Sequence, residues 1–232
     1  MMRVNVYYVP DYQPYARLLD LQHRLHALRA AQQIEDTVLV LEHAPVITIG
    51  RTPQAGRHVL ASQTILEQQG IEVCVTDRGG DVTYHGPGQI TVYYILALPD
   101  RDVHRFVRML EQSVIALLAD YGITGRVDSE YPGVWVGDNK ICALGVAVKK
   151  WVGFHGIALN VCPDLTHFQY IVPCGIQQKG VTSFQREALE HSMGREYDIE
   201  ALKRAYIRHF AAVFHRDVYE ESGWPIIPEM HL

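Results

Sequence analysis

The chain has 232 residues, a 48% hydrophobic fraction, 20% charged residues and a formal net charge of -5. That is enough apolar material for one sizeable core, and the acidic balance argues against a nucleic-acid binder, although a local basic patch stays open. No apolar run approaches the ~18 residues of a membrane span, and the opening MMRVNVYYVPDYQPY is too polar for a secretory leader. A cytoplasmic protein with reduced thiols, and no membrane or nucleic-acid partner, is the expectation.

In chain order, Leu18, Leu21, Leu25 and Leu28 recur at helical spacing and predict a helix from Tyr15 to Gln33. Two β-rich runs follow, Thr37 to Glu42 and Val46 to Ile49, broken by Ala44-Pro45. A short helix from Ser62 to Gln69 ends at Gly70, and Ile71 to Thr76 reads as a strand. Gln89 to Leu98 is a continuous apolar run, as expected of a strand buried on both faces. Asp102 is placed to cap a second helix, with Phe106, Leu110, Val114 and Leu117 on its face and Gly122 at its stop. Residues 133 to 161 read as strands joined by turns, the first at Gly137-Asp138-Asn139. A last helix begins after Asp198, with Ile199, Leu202, Tyr206 and Phe210 on one face, and the tail from Trp224 to Pro228 reads as irregular. Helices and strands mix without regular βαβ alternation. The expectation is one α+β domain, residues 1–232, with a large mixed sheet flanked by helices.

Three stretches carry more than packing. RGGDVTYHGPGQ, Arg78 to Gln89, sets four glycines, an arginine and a histidine between two strands. Glycine lets backbone approach a ligand closely, but a bulged loop reads the same way. Lys140 heads an apolar strand just after a turn, where a solvated strand-end lysine is the plain reading. Cys174 stands between Pro173 and Gly175, outside any periodic pattern, where a loop can display a thiol. Cys74, Cys142 and Cys162 lie in or beside strand-like runs and read as core. There is no C-x-x-C pair, no H-E-x-x-H and no phosphate-binding glycine motif, so no metal or cofactor is expected.

Taken together, EHAPVITIGR (residues 42–51), RGGDVTYHGPGQ (78–89), PGVWV (132–136), KICALGV (140–146), HGIALNV (155–161), PCGI (173–176) and GVTS (180–183) resemble the lipoyl(octanoyl) transferases, octanoyl-[acyl-carrier-protein]:protein N-octanoyltransferases. The likeness covers a core of about residues 40–185, in that family's order and spacing. Departures are small: Cys142 stands where a small residue such as alanine is common, and Phe184 where leucine is common.

The resemblance implies the fold of the biotin and lipoate protein ligases. It implies transfer of an octanoyl group from acyl carrier protein, through a thioester on Cys174, to a lysine of a lipoyl domain. The acceptors it implies are the E2 subunits of 2-oxoacid dehydrogenases and the glycine cleavage H protein. It makes Cys174 the nucleophile and Lys140 the residue that lowers the thiol pKa and moves protons. Substrate contacts carry over to Arg78, Gly79, Gly80, Asp81, Val82, Thr83, Tyr84 and His85, to Ala143, Leu144 and Gly145, and to Gly156, Ile157 and Ala158, with His155 as a supporting residue.

The chemistry suits these residues. Thioester-to-thioester exchange is nearly balanced and needs no ATP, and a cation beside a thiol favours the reactive thiolate. Backbone N–H groups near Gly145, Gly175 or Gly79-Gly80 are candidates for holding the oxyanion. Lys149, Lys150, Arg51 and Lys179 are candidates for meeting an acidic carrier. A monomer is expected. The nearest rival is an ATP-dependent lipoate or biotin ligase on the same fold; a cysteine hydrolase and a non-catalytic binder of lipoyl domains are more distant.

Overall fold

The computed structural model describes residues 2–172, 179–190 and 198–226. Its frame is a mixed sheet. Strand β1 (Met2–Gln13) lies parallel to β2 (Asp36–His43) on one side and to the carboxyl-terminal β12 (Arg216–Ser222) on the other. From β2 the sheet continues antiparallel through β6 (Gln89–Ile95), β10 (Val152–Asn160), β9 (Asn139–Lys149), β8 (Gly133–Val136) and β7 (Arg126–Val127). The short β11 (Gly180–Val181) joins β9 in parallel. A second, three-stranded sheet has β3 (Val46–Ile49) between β4 (Glu72–Val75) and β5 (Val82–His85).

The period of two along β2 and β6 divides the core. Val38, Val40, Val92 and Tyr94 face helices α3 (Val103–Asp120) and α5 (Ile199–Phe214), where Phe106, Leu110, Tyr206 and Phe210 meet them. The alternate residues Leu39, Leu41, Tyr93 and Ile95 face α1 (Tyr15–Ala30) and its Leu18, Leu21 and Leu25. Every residue of β2 and β6 is therefore buried. Asp102 accepts from the Arg105 N–H and Asp198 from the Glu200 N–H, so both amphipathic helices start on a satisfied cap.

The expected elements are present, with shifts that have physical causes. Helix α1 ends three residues early, at Ala30, because Gln32 takes a left-handed φ of 58°. Ser62 caps α2 (Gln63–Gln68). The run after Gly70 forms β4, an edge strand with Val73 and Val75 exposed. Cys74 is accordingly half-buried, and Cys162, two residues past the end of β10, is exposed; only Cys142 of these three is core. Strands β1 and β12 and the short helix α4 (Phe184–Glu190) carry no strong sequence pattern and are additions. Part of the tail expected to be irregular, residues 227–228, lies outside the described residues.

Phe210 is fully buried, 5.5 Å from the Tyr94 ring and 4.7 Å from Phe214. Phe210→Ala is expected to cost about 3–5 kcal/mol, read from urea unfolding.

Candidate active site

A pocket of about 480 Å³, open mouth included, lies on the α1 side of the large sheet. Its floor comes from register. Ala143, Ala158 and Thr91 sit directly opposite one another on β9, β10 and β6 and so share one face of the pocket lining. Gly133, opposite Ala143 on β8, continues the row beyond the lining residues, and three strand spacings make the whole row about 14 Å long. Three of its four side chains are no larger than a methyl group, which leaves a shallow trough. The loop and strand from Arg78 to His85 form the opposite wall, and Tyr15, Tyr93 and His155 stand toward one end.

Most residues singled out in the sequence meet here: Arg78, Gly80, Asp81, Val82, Thr83, His85, Ala143, Leu144, Gly145, His155, Gly156, Ile157 and Ala158 all line the pocket. Two do not. The Tyr84 side chain alternates to the other face of β5, packs on Phe168 and bonds His167 Nδ1 at 2.8 Å. Gly79 lies against the sheet and donates its N–H to the Val146 carbonyl at 3.0 Å, so that N–H is not open to an oxyanion. Gly145 makes this approach possible, since a Cβ there would stand 2.8 Å from the Gly79 oxygen. Tyr15, Thr91 and Tyr93 also line the pocket and were not singled out. The alternation of Thr91 and Tyr93 in QITVYYI could have flagged them as one face.

A chain of hydrogen bonds fixes the wall. Arg78 donates from Nε and Nη2 to Thr48 Oγ1, at 3.1 and 2.9 Å, and from Nη2 to the Thr48 carbonyl at 2.8 Å. Thr48 then donates to His85 Nε2 at 3.2 Å, and His85 Nδ1 donates to Gln89 Oε1 at 2.8 Å. Gln89 Nε2 donates to Asn160 Oδ1, and Asn160 Nδ2 to the Thr182 carbonyl. Every donor direction is consistent with a neutral His85, whose pKa is held well below the usual value by burial and by the nearby His43 and Arg78. Both its ring nitrogens are engaged. His43 is likewise neutral: burial lowers it to about 4, its Nδ1 donates to the Gln13 carbonyl, and Tyr93 OH donates to its Nε2 at 2.6 Å.

His155 is held differently. Its φ is +59°, left-handed for a non-glycine residue inside a strand, and its N–H leaves the ladder for Gln22 Oε1 at 2.8 Å. The ring donates Nε2–H to Asp77 at 2.8 Å, and burial lowers its pKa to about 4. Burial works to raise the Asp77 carboxyl, but hydrogen bonds from Lys149, His155 and His23 outweigh it and hold it well below its ordinary value.

Lys140 does not itself line the pocket, but it is turned toward the same face. Opposite β8, Val134 pairs with Cys142 and Trp135 with Lys140, so Ile141 is an extra residue, a bulge. Lys140 therefore departs from the face of Cys142, and its stem passes Gly133, where a Cβ would lie 3.5 Å from Lys140 Cε. The side chain is buried; Nζ donates to the Pro132 carbonyl at 3.1 Å and stands 4.7 Å over the Trp135 ring. Beside it, β11 pairs Val181 with Lys140, and Thr182 N–H bonds the Lys140 carbonyl. Cys174 lies outside the described residues. Burial raises the thiols of Cys142 (to about 12), Cys74 and Cys162, so none of these three is prepared as a nucleophile.

Two tests follow from this geometry. Gly133 has φ +127°, and an added Cβ would meet the Cys142 carbonyl at 2.5 Å, so Gly133→Ala is expected to shift β8 away from Lys140, lowering both the melting temperature and activity. His43 and His155 are neutral in the fold, but in the unfolded chain they protonate near about 6.5. Their contribution is therefore complete above that value and declines as pH falls toward 4. Urea midpoints across this range measure the decline, and His43→Gln is expected to make it shallower.

Comparison with known proteins places this geometry. A family model described as the lipoyl protein ligase A/B catalytic domain matches residues 14–211. An octanoyltransferase of Caldicellulosiruptor saccharolyticus is 46% identical over 217 residues, spanning 92% of this chain and 89% of its own. An octanoyltransferase of Rubrobacter xylanophilus is 44% identical over 211 residues, spanning 90% and 93%. Among solved structures, a putative lipoate protein ligase from T. acidophilum with bound lipoic acid superposes with a TM-score of 0.76 over 95% of this chain and 89% of that one, at 18% identity, a likeness of fold. By the span of the family model and the identity of these relatives, the chain belongs to the lipoyl protein ligase A/B catalytic domain family.

Proposed function

We propose that this protein is an octanoyltransferase, a single-domain cytoplasmic monomer that moves an octanoyl group from acyl carrier protein to a lysine of lipoyl domains. The names of its relatives support the activity. The observation that carries the reading to particular residues is the row of small residues Ala143 and Ala158 in the pocket floor, continued by Gly133 beside the Lys140 stem. The seven C–C bonds of an extended eight-carbon chain, ~1.5 Å each and foreshortened by their zigzag, span roughly 9 Å, so the chain fits along the ~14 Å row. Burying that chain is worth about 5 kcal/mol at ~0.8 kcal/mol per methylene. The acceptor domain has support from a T. acidophilum structure, a bipartite lipoate protein ligase described together with its E2 lipoyl domain.

In the chemistry we propose, the Cys174 thiolate attacks the carbonyl of the donor thioester. The carrier's sulfur leaves and takes up a proton, and the acyl group rests on Cys174. The acceptor lysine amine then attacks that thioester, an amide forms, and the Cys174 thiolate departs. Lys140 is the residue we assign to favour the thiolate and to relay the amine proton. Its buried ammonium site, set by Pro132 and Trp135, supports this role. His85 and His43 have both ring nitrogens committed, which favours a scaffolding role for them. Of the cations proposed to meet an acidic carrier, Lys149 is bound to Asp77 and Lys179 to Asp128, whereas Lys150 and Arg51 are exposed, so we assign docking mainly to the latter pair.

Intact mass after mixing with octanoyl-acyl carrier protein, without ATP or acceptor, tests the proposal. One added octanoyl group, absent in Cys174→Ser and discharged by a lipoyl domain, is the expected result. Lys140→Met is expected to slow loading by about 10²–10⁴-fold. No adduct, with lipoyl-domain modification only when octanoate and ATP are supplied, would instead support an ATP-dependent ligase.

A further inference from the structure

Asp128, one residue past β7, has a side chain only 11% exposed and is bonded through both of its oxygens. Oδ1 accepts from the Glu130 N–H at 3.0 Å and from the Tyr131 N–H at 3.1 Å. Oδ2 accepts from Lys179 Nζ at 2.6 Å and from Arg126 Nη1 at 3.4 Å. The hydrogen bonds from Lys179 and Glu130 hold this carboxyl well below its ordinary value, so it stays ionised.

An aspartate that accepts from the N–H groups two and three residues on folds the chain into a tight turn. Here that turn, residues 128–131, leads straight to the Lys140 site. The Tyr131 carbonyl accepts from Trp135 Nε1 at 3.1 Å, and the Pro132 carbonyl accepts from Lys140 Nζ at 3.1 Å. Trp135 is buried, and Lys140 Nζ stands 4.7 Å from its ring centroid. The turn thus sets both groups that receive the ammonium, the carbonyl and the ring. A second route runs through Oδ2. Lys179 Nζ also stands 4.7 Å from the Trp135 centroid, and Asp128 offsets that second charge on the ring. Of the two routes the turn is the stronger, because it places an acceptor in direct contact with Lys140, whereas Lys179 acts only across the ring.

A lysine ammonium is a point charge on a flexible four-carbon stem, so it stands where its acceptors are placed. We propose that Asp128 is a positioning residue for the acyl transfer: by folding residues 128–131 it aims the Pro132 carbonyl and the Trp135 ring at Lys140. The assignment rests on the acyl-transfer reading above. Asp128 is not among the residues lining the pocket and acts through Lys140.

Two substitutions separate the turn from the ion pair. Asp128→Asn keeps an oxygen for the two N–H groups and gives up the charge that meets Lys179. Asp128→Glu keeps the charge but carries the oxygens one methylene away from the turn. Loading is followed in single turnovers by intact mass, with octanoyl-acyl carrier protein varied and no acceptor present. Asp128→Glu is expected to lower the maximal loading rate about 10–10²-fold, with half-saturation by the carrier unchanged within about twofold. Asp128→Asn is expected to stay within about threefold of the unaltered chain. The indole N–H resonances of the three tryptophans report the turn independently. The Trp135 signal is expected to move in Asp128→Glu and to hold in Asp128→Asn, while those of Trp151 and Trp224 stay in place in both and verify the fold. Undiminished loading by Asp128→Glu, slower loading by Asp128→Asn than by Asp128→Glu, or a change confined to half-saturation would overturn the proposal. Should Asp128→Glu fail to fold, Asp128→Asn decides alone, since a loss beyond its expected range overturns the proposal. An unaltered chain that takes no octanoyl group would overturn the acyl-transfer reading itself, and this role with it.

Discussion

Between Cys142 and Lys140, β9 carries one residue more than the β8 segment opposite it. In an unbroken strand those two positions would point the same way, and Lys140 would follow Cys142 into the largely apolar α3–α5 core, where burying a cation is costly. The extra residue, Ile141, takes up the odd step and is itself fully buried. Lys140 then emerges over Gly133, on the side of Ala143. The neighbouring strands are fitted to this offset. Gly133 has no side chain to obstruct the lysine stem, Trp135 supplies a ring beneath Nζ, and β11 is bonded to the backbone at 139 and 140. The segment that contains Cys174 is flanked by residues fixed in the fold: Val172 N–H bonds the His58 carbonyl, and Lys179 Nζ bonds Asp128 at 2.6 Å.

The hydrogen-bond chain from Arg78 to Thr182 complements this arrangement. It crosses from the small sheet to the large one and ends one residue from β11. Because each link has a single sensible donor, turning over any one side chain would leave a buried polar atom unmet. The arrangement therefore resists rotation of His85 and holds it uncharged. Two histidines line the pocket, and one of them, His85, has both nitrogens engaged, as does its neighbour His43. So engaged, these two rings hold the polar wall rigid and neutral beside the small-residue trough.

Much of the scaffold was legible in the sequence because its signals are local. The faces of α1, α3 and α5 follow from leucine and aromatic spacing, the caps from Asp102 and Asp198, and the burial of β6 from an unbroken apolar run. Strand β12 was not legible, because Arg216 is its only fully buried residue and the rest, DVYEES, reads as surface. Strand β1 hid its pattern behind tyrosines, although Val4 and Val6 are fully buried. At the site, glycine-rich and motif-bearing stretches pointed to most of the lining, but Tyr15, Thr91 and Tyr93 join it only through register between β6 and β10 and the packing of α1. Cys162 misled because its neighbours are apolar, while its own position falls just beyond the last paired residue. Tyr84 was included through the resemblance of its whole stretch, and such a carry-over says nothing about which face of β5 a side chain occupies.

His155 shows what holding the trough open costs. A left-handed backbone at a non-glycine residue stores about 1–3 kcal/mol, and such strain persists only where the surroundings over-determine it. Here three distant segments do so. Gln22, on α1, takes the N–H that the ladder no longer serves. Asp77, beyond the edge strand β4, takes the ring, and is itself held by His23 of α1 and by Lys149 of β9. These contacts join residues 54 to 133 positions apart in sequence, so they form only once the sheet and α1 have come together. The strained residue is thus a product of the assembled fold. It holds the part of the pocket lining near Tyr15 and Tyr93 as rigidly as the bulge holds Lys140 on β9.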